Sequence, residues 1–168
     1  MRYTDFLDTL LIRSQSQKCL RAFTLIELLV AIAIIATLGA IAVPAYNSYI
    51  DKARNTTSMA DIREMELGIV RFQAERGRLP DPLAEAGLSI QLDPWGRLYQ
   101  YLRIQGLDIK DVKKYARKDR MTHPINTDFD LYSMGKDGDS QQPLTAQASW
   151  DDIVRANNGR FVGLASDY

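Results

Sequence analysis

The sequence predicts an α+β fold in which one long N-terminal helix packs against a small antiparallel β-sheet. The first half of that helix is expected to span a membrane and the second half to be amphipathic. Three observations carry the expectation. Leu28 to Tyr46 is a run of 19 residues without a charge. Beyond it, apolar residues recur at helical spacing as far as Phe72. Residues 77–168 then hold short alternating stretches separated by turn-forming residues.

The uncharged run is preceded by residues 1–22, where Arg2, Arg13, Lys18 and Arg21 stand against Asp5 and Asp8. At the helical rise of 1.5 Å per residue the run spans roughly 28 Å, close to the hydrocarbon thickness of a bilayer. Lys18 and Arg21 flank its start, which predicts a cytoplasmic N-terminus by the positive-inside rule. A cleaved secretory signal is the competing reading. The run is longer than a usual signal core.

Past Pro44 the helical pattern continues through Ile50, Ala53, Met59, Ile62, Met65, Ile69 and Phe72, with Arg54, Asp61, Arg63, Arg71 and Glu75 on other faces. Gly77 and Pro80 supply the stop, so one helix is expected from about Phe23 to Arg76. Pro44 lies inside it and predicts a kink, because proline lacks the helix donor and crowds the preceding turn.

The rest of the chain divides by its turns. Asp93-Pro94-Trp95-Gly96 reads as a tight turn leading into a strand over Arg97–Ile104. Phe129–Met134 reads as a second strand closed by Gly135-Lys136-Asp137-Gly138, and Arg160–Gly163 as a last one. Ser149-Trp150-Asp151-Asp152 reads as a capped helix start, with a short helix through Ala156. Residues 108–120 carry Lys110, Lys113, Lys114, Arg117, Lys118 and Arg120 beside three aspartates, the pattern of a solvated helix or loop. The expected divisions are therefore 1–22, 23–46, 47–76 and 77–168.

Composition excludes several functions. Lys plus Arg and Asp plus Glu are 21 each, so the chain lacks the basic excess that holds a protein to nucleic acid. Cys19 and His123 are the sole residues of their types, which removes intramolecular disulfides, cysteine-rich metal sites and the usual nucleophile–base pairs. No acid–base couple or glycine-rich phosphate loop is marked by spacing, and the chain is not expected to be an enzyme. Trp95 and Trp150 are expected to serve in packing.

Arg21-Ala22-Phe23-Thr24-Leu25-Ile26-Glu27-Leu28-Leu29-Val30 is the sharpest motif. A carboxylate inside an apolar helix costs about 2.5–3.5 kcal/mol at mid-membrane and less near the edge, so Glu27 needs a partner. Cleavage between Ala22 and Phe23 would create one, a new α-amine at the same depth. The segment resembles the N-terminus of type IV prepilins over residues 21–46. That resemblance implies a prepilin peptidase and N-methyltransferase that cuts at Ala22–Phe23 and methylates Phe23. It also implies Glu27 as the docking acid and Pro44 as the family's helix kink. Where the family usually has glycine before the cut, this chain has Ala22.

Asp93-Pro94-Trp95-Gly96-Arg97, Tyr99-Gln100-Tyr101, Asp130 to Gly138 and Asp152-Ile153 resemble the major pseudopilin of type II secretion systems. By that resemblance the chain is anchored once in a bacterial inner membrane, with its C-terminal domain in the periplasm. It polymerises with copies of itself into a periplasmic pseudopilus that drives protein secretion. Minor pseudopilins and an inner-membrane assembly platform are the implied partners, with the lipid bilayer. The alternatives are a subunit of a surface type IV pilus and a membrane-anchored periplasmic binding protein that never polymerises. Residues 105–128 are longer than the family's usual connection.

Asp137, Asp139, Asp151 and Asp152 gather at the two ends of one polar loop, and such hard oxygen donors suit calcium. An EF-hand starting at Asp128 is excluded, since Ser133 stands where glycine is required and Asp139 where glutamate closes the loop. The pseudopilin resemblance implies a structural Ca2+ here, with Ser133, Asp137 and Asp152 as ligands and Asp151 as a weaker fourth. Turn formation by Asp137 and helix capping by Asp152 are the competing roles.

Overall fold

A computed structural model describes residues 23–88 and 92–168. The chain divides into two compact units, one ending at Ala42 and the other running from Val43 to Tyr168. Helix α1 occupies Leu25–Arg76 and ends at Gly77, whose φ of +73° is the left-handed conformation of a helix stop. It continues through Pro44, which lacks the N–H that would bond the Ala40 carbonyl.

In the first unit every large apolar side chain from Phe23 to Ile41 is exposed. The second unit buries one stripe of α1, made of Ser58, Ile62, Met65 and Ile69. Ala53, expected on that stripe, is exposed, while Ser58 is fully buried and bonds the Tyr99 hydroxyl at 3.3 Å. The stripe packs on Leu79, Leu83, Tyr99, Phe129, Leu131 and Ile153.

The sheet is a four-stranded antiparallel meander in the order β1 (Gln100–Arg103), β2 (Phe129–Ser133), β3 (Ile153–Ala156) and β4 (Phe161–Leu164). Tyr101 faces Leu131 across the first pair and Val154 faces Gly163 across the last. Asn157, Asn158 and Gly159 turn the β3–β4 hairpin with φ of 54°, 55° and 82°. Helix α2 (Ile109–Tyr115) buries none of its residues, in keeping with the solvated helix expected there.

The expected helix over Ser149–Ala156 is corrected by the structure. A short 3-10 turn covers Gln147–Ser149, and Ile153–Ala156 is strand β3. Both sheet faces are covered at β3, so all four of its residues are buried and no alternation survives to signal a strand. Ile153 joins the core under α1, whereas Val154 and Ala156 join a second cluster with Ile125, Leu144 and Ala165. Ser149 Oγ, expected as a cap, instead accepts from the Gln141 N–H at 2.9 Å and donates to the Gln141 carbonyl at 2.8 Å. The polar loop also has an apolar anchor, since Leu144 is 2% exposed.

Arg155 ties the sheet to the helix. Its Nε donates to Glu66 Oε1 at 2.8 Å and its two terminal nitrogens to Asp128 at 2.9 and 2.7 Å. The guanidinium also lies 4.0 Å over the Phe129 ring.

Candidate functional site

The residues singled out by sequence fall into two groups, at the head of α1 and around the loop between β2 and β3. Ala22 lies outside the described residues. Phe23 is 87% exposed, just ahead of the helix.

Thr24 and Glu27 form a reciprocal capping box. Glu27 N–H donates to Thr24 Oγ1 at 3.2 Å, while Thr24 N–H donates to Glu27 Oε2 at 2.9 Å. The Thr24 hydroxyl donates to the same Oε2 at 2.8 Å. Two donors that a helix start would leave open are thereby satisfied, and the carboxylate sits at the positive end of the helix dipole. Oε1 takes no bond among the described residues. The sequence spacing Thr-x-x-Glu carries this signal, which the resemblance, with its docking role for Glu27, leaves out.

The second group begins at Asp93. Its Oδ1 accepts the Trp95 and Arg97 N–H groups at 3.0 and 2.8 Å, closing the tight turn expected there. Its Oδ2 accepts the Ser133 hydroxyl at 2.6 Å, so Ser133 acts as a buried link between that turn and the end of β2. Asp151 Oδ2 accepts the Lys136 and Asp137 N–H groups at 2.7 and 3.0 Å. Gly135 lies against the same residue, and a Cβ built on it would come 2.2 Å from the Asp151 carbonyl oxygen. With its φ of +62°, this position accepts only glycine without strain. Arg97 closes the turn from the other side, donating to the Gly135 carbonyl at 2.7 Å. Asp137 is exposed, and its Oδ1 accepts the Asp139 N–H at 2.9 Å.

Asp152 is fully buried. Its Oδ2 accepts the Arg117 guanidinium and, at 2.6 Å, the Ser140 hydroxyl. Burial pushes its carboxyl up to about 6, against the opposing pull of the Ser140 hydrogen bond and the Arg117 charge. Arg117 also donates to Ser140 Oγ and lies 4.3 Å over the Tyr132 ring. Asp152 Oδ1 and Arg117 Nε are buried without a protein partner.

The four expected calcium ligands are therefore not assembled around one point. Ser133 is bonded to Asp93, Asp151 to backbone N–H groups, Asp137 to its own turn and Asp152 to a cation. Among the described residues no group of three or more His, Cys, Asp or Glu side chains is placed to hold a metal ion. Asp152 offers one open oxygen, and the adjoining guanidinium carries the same sign of charge as the ion. The donor set does not fit the ion as arranged. Sequence reasoning missed Arg117, because its neighbours share its charge and no spacing marks the one that turns inward. Of the two tryptophans expected in packing, Trp95 is placed so, whereas Trp150 is 52% exposed. Trp95 packs against the main core, and Trp150 Nε1 donates to the Thr145 carbonyl at 3.3 Å within the loop.

Residues 18–43 match the family profile of the prokaryotic N-terminal methylation motif. A fimbrial protein of Neisseria meningitidis serogroup A is 28% identical over 85 residues, 51% of this chain and 50% of that protein, so this match spans half of the relative's length. The type IV major pilin protein PilE of Neisseria gonorrhoeae is 24% identical over 147 residues, covering 82% of this chain and 83% of the pilin. The type II secretion system core protein G of Pseudomonas aeruginosa is 26% identical over 139 residues, covering 69% of this chain and 83% of that protein. No solved structure matches the chain.

Proposed function

As a member of the type IV pilin-like superfamily, this chain is, we propose, a structural subunit that polymerises through its N-terminal helix into a periplasmic pseudopilus driving type II protein secretion. The observation that carries the reading is the first unit of α1, whose large apolar side chains are all exposed behind one carboxylate, Glu27. In water such a surface is untenable, so lipid or copies of the same helix must cover it.

A prepilin peptidase cuts Ala22–Phe23 and methylates the new terminus. The cut leaves the capping box intact, since Thr24 and Glu27 both lie downstream of it. Glu27 thus stays oriented by Oε2 while Oε1 remains open to a Phe23 amine of a neighbouring copy. Pairing offsets the cost of holding a carboxylate in hydrocarbon, about 2.5–3.5 kcal/mol at mid-membrane. The helix crosses the inner membrane once, the second unit lies in the periplasm, and the role is structural rather than catalytic. Minor pseudopilins and the assembly platform are the remaining partners.

The similarity to the secretion core protein G and the turn and strand residues from Asp93 to Asp152 support a pseudopilus. The longer match to the gonococcal pilin favours a second reading, a subunit of a surface type IV pilus. Deleting the gene separates them. Loss of protein secretion with surface fibres intact supports the pseudopilus, and loss of surface fibres with secretion intact supports the pilus. Mass spectrometry of the membrane-extracted chain should read Phe23 as the methylated N-terminus. A mature chain starting near Ala45 would remove the fibre reading altogether.

A further inference from the structure

The loop from Gly135 to Asp152 closes on a cation that the chain itself supplies. Arg117 is 3% exposed and Asp152 fully buried, and Ser140 bridges them by bonding both. We propose that Arg117, delivered by the long connection between β1 and β2, stands in place of a bound divalent metal, so that this loop is ordered without calcium. The inference is independent of the fibre reading.

The connection is built to deliver that side chain. After α2 the chain runs alongside the loop, with the Lys118 N–H donating to the Gln142 carbonyl at 3.1 Å and the Leu144 N–H to the Lys118 carbonyl at 2.9 Å. Gln142 Nε2 donates to the Ala116 carbonyl at 2.6 Å. On the sheet side, the Arg117 N–H donates to Asp130 Oδ2 at 2.7 Å, and the Ile125 N–H to the Arg117 carbonyl at 3.0 Å. Arg117 is thereby fixed between loop and sheet by its backbone, while its guanidinium reaches Asp152 with Tyr132 beneath it.

The chemistry favours this over an ion. A guanidinium can be held by one carboxylate and one hydroxyl, which Asp152 and Ser140 present to its two terminal nitrogens. A metal would need the other expected ligands to abandon Asp93 and the 135–138 turn, and would then sit beside a fixed positive charge.

The test uses the full chain in detergent micelles and reads its thermal unfolding in saturating calcium and in chelator. The wild-type chain should melt at the same temperature in both. Arg117→Met should melt lower by roughly 10 °C, because it strands a buried carboxylate. Arg117→Met combined with Asp152→Asn should recover more than half of that loss, since no uncompensated charge remains. The double variant also keeps the test decisive if the single variant fails to fold. A calcium-dependent rise in the wild-type melting temperature overturns the proposal, as does an Arg117→Met chain that melts like wild type or a double variant that recovers nothing.

Discussion

The two stretches of α1 on either side of Pro44 share a backbone and differ in what their side chains meet. From Leu25 to Val43 the large apolar residues point in every direction and all are exposed, Ile41 at 74% and Leu29 at 52%. From Tyr46 to Arg76 a single stripe is buried, and its Ile62, Met65 and Ile69 reach 0% exposure under the sheet. A one-sided stripe can be satisfied by its own chain. An all-round apolar surface cannot, so its stability has to come from outside the protomer. The difference separates residues that hold the second unit together from residues whose surface lipid or another chain must cover.

Glu27 gives the largest effect by which that separation could be broken. Glu27→Leu removes both the cap and the charge, and fibre yield should fall to background while the chain remains in the membrane fraction. Glu27→Gln can keep accepting the Thr24 N–H but carries no charge. If pairing with an amine is what matters, it should be as defective in fibre formation as the leucine variant, and wild-type-like fibres from it would reduce Glu27 to a capping residue.

The next contrast is between two isoleucines. Ile62→Ala should destabilise the second unit by about 2–5 kcal/mol, the range for emptying a filled core position. Ile32→Ala should leave its thermal unfolding unchanged. Equal losses in the two variants, measured on the full chain in micelles, would mean that the two stretches are not energetically distinct. Arg155→Met should cost about 2 kcal/mol or more by stranding Glu66 and Asp128, less than a fully buried pair because both acids retain some solvent. Its loss should exceed that of Glu66→Gln, which leaves the Asp128 pair in place; denaturant midpoints decide. Gly135→Ala sharpens the picture within the loop. The left-handed φ and the close approach to Asp151 should cost about 1–3 kcal/mol. The same substitution at Gly39, where a Cβ meets nothing within 4 Å, should not lower the unfolding temperature.

Much of this architecture was legible in advance, and the reasons are physical. The helix announced itself because about fifty residues of apolar or periodic sequence ahead of the Gly77 and Pro80 stop admit few alternatives. Strand β2 was readable from its flanking turn. Strand β3 was not, because burial on both faces erases alternation and Ser149-x-x-Asp152 imitates a helix start. The same limit hid the cation at Asp152. Sequence lists six basic residues between 108 and 120, and only the path of the chain decides that Arg117 turns inward. The acids at the loop ends looked like ligands because charge and spacing report composition, whereas bonding partners depend on where each oxygen points.

The Arg155–Glu66 bond bears on how the second unit would respond to a pull along α1. Apolar contacts between Ile62, Met65, Ile69 and the sheet weaken gradually as they slide, since burial scales with area. A 2.8 Å hydrogen-bonded ion pair is lost within a small displacement. Glu66 therefore works as a shear pin that fixes the register of helix on sheet. A slip of one turn, about 5.4 Å, would bring Ile62 or Val70 opposite Arg155 Nε and leave that buried N–H without its acceptor, with Asp128 alone holding the guanidinium. Tension reaching the helix should therefore load the sheet at β3 before the helix moves along its own core.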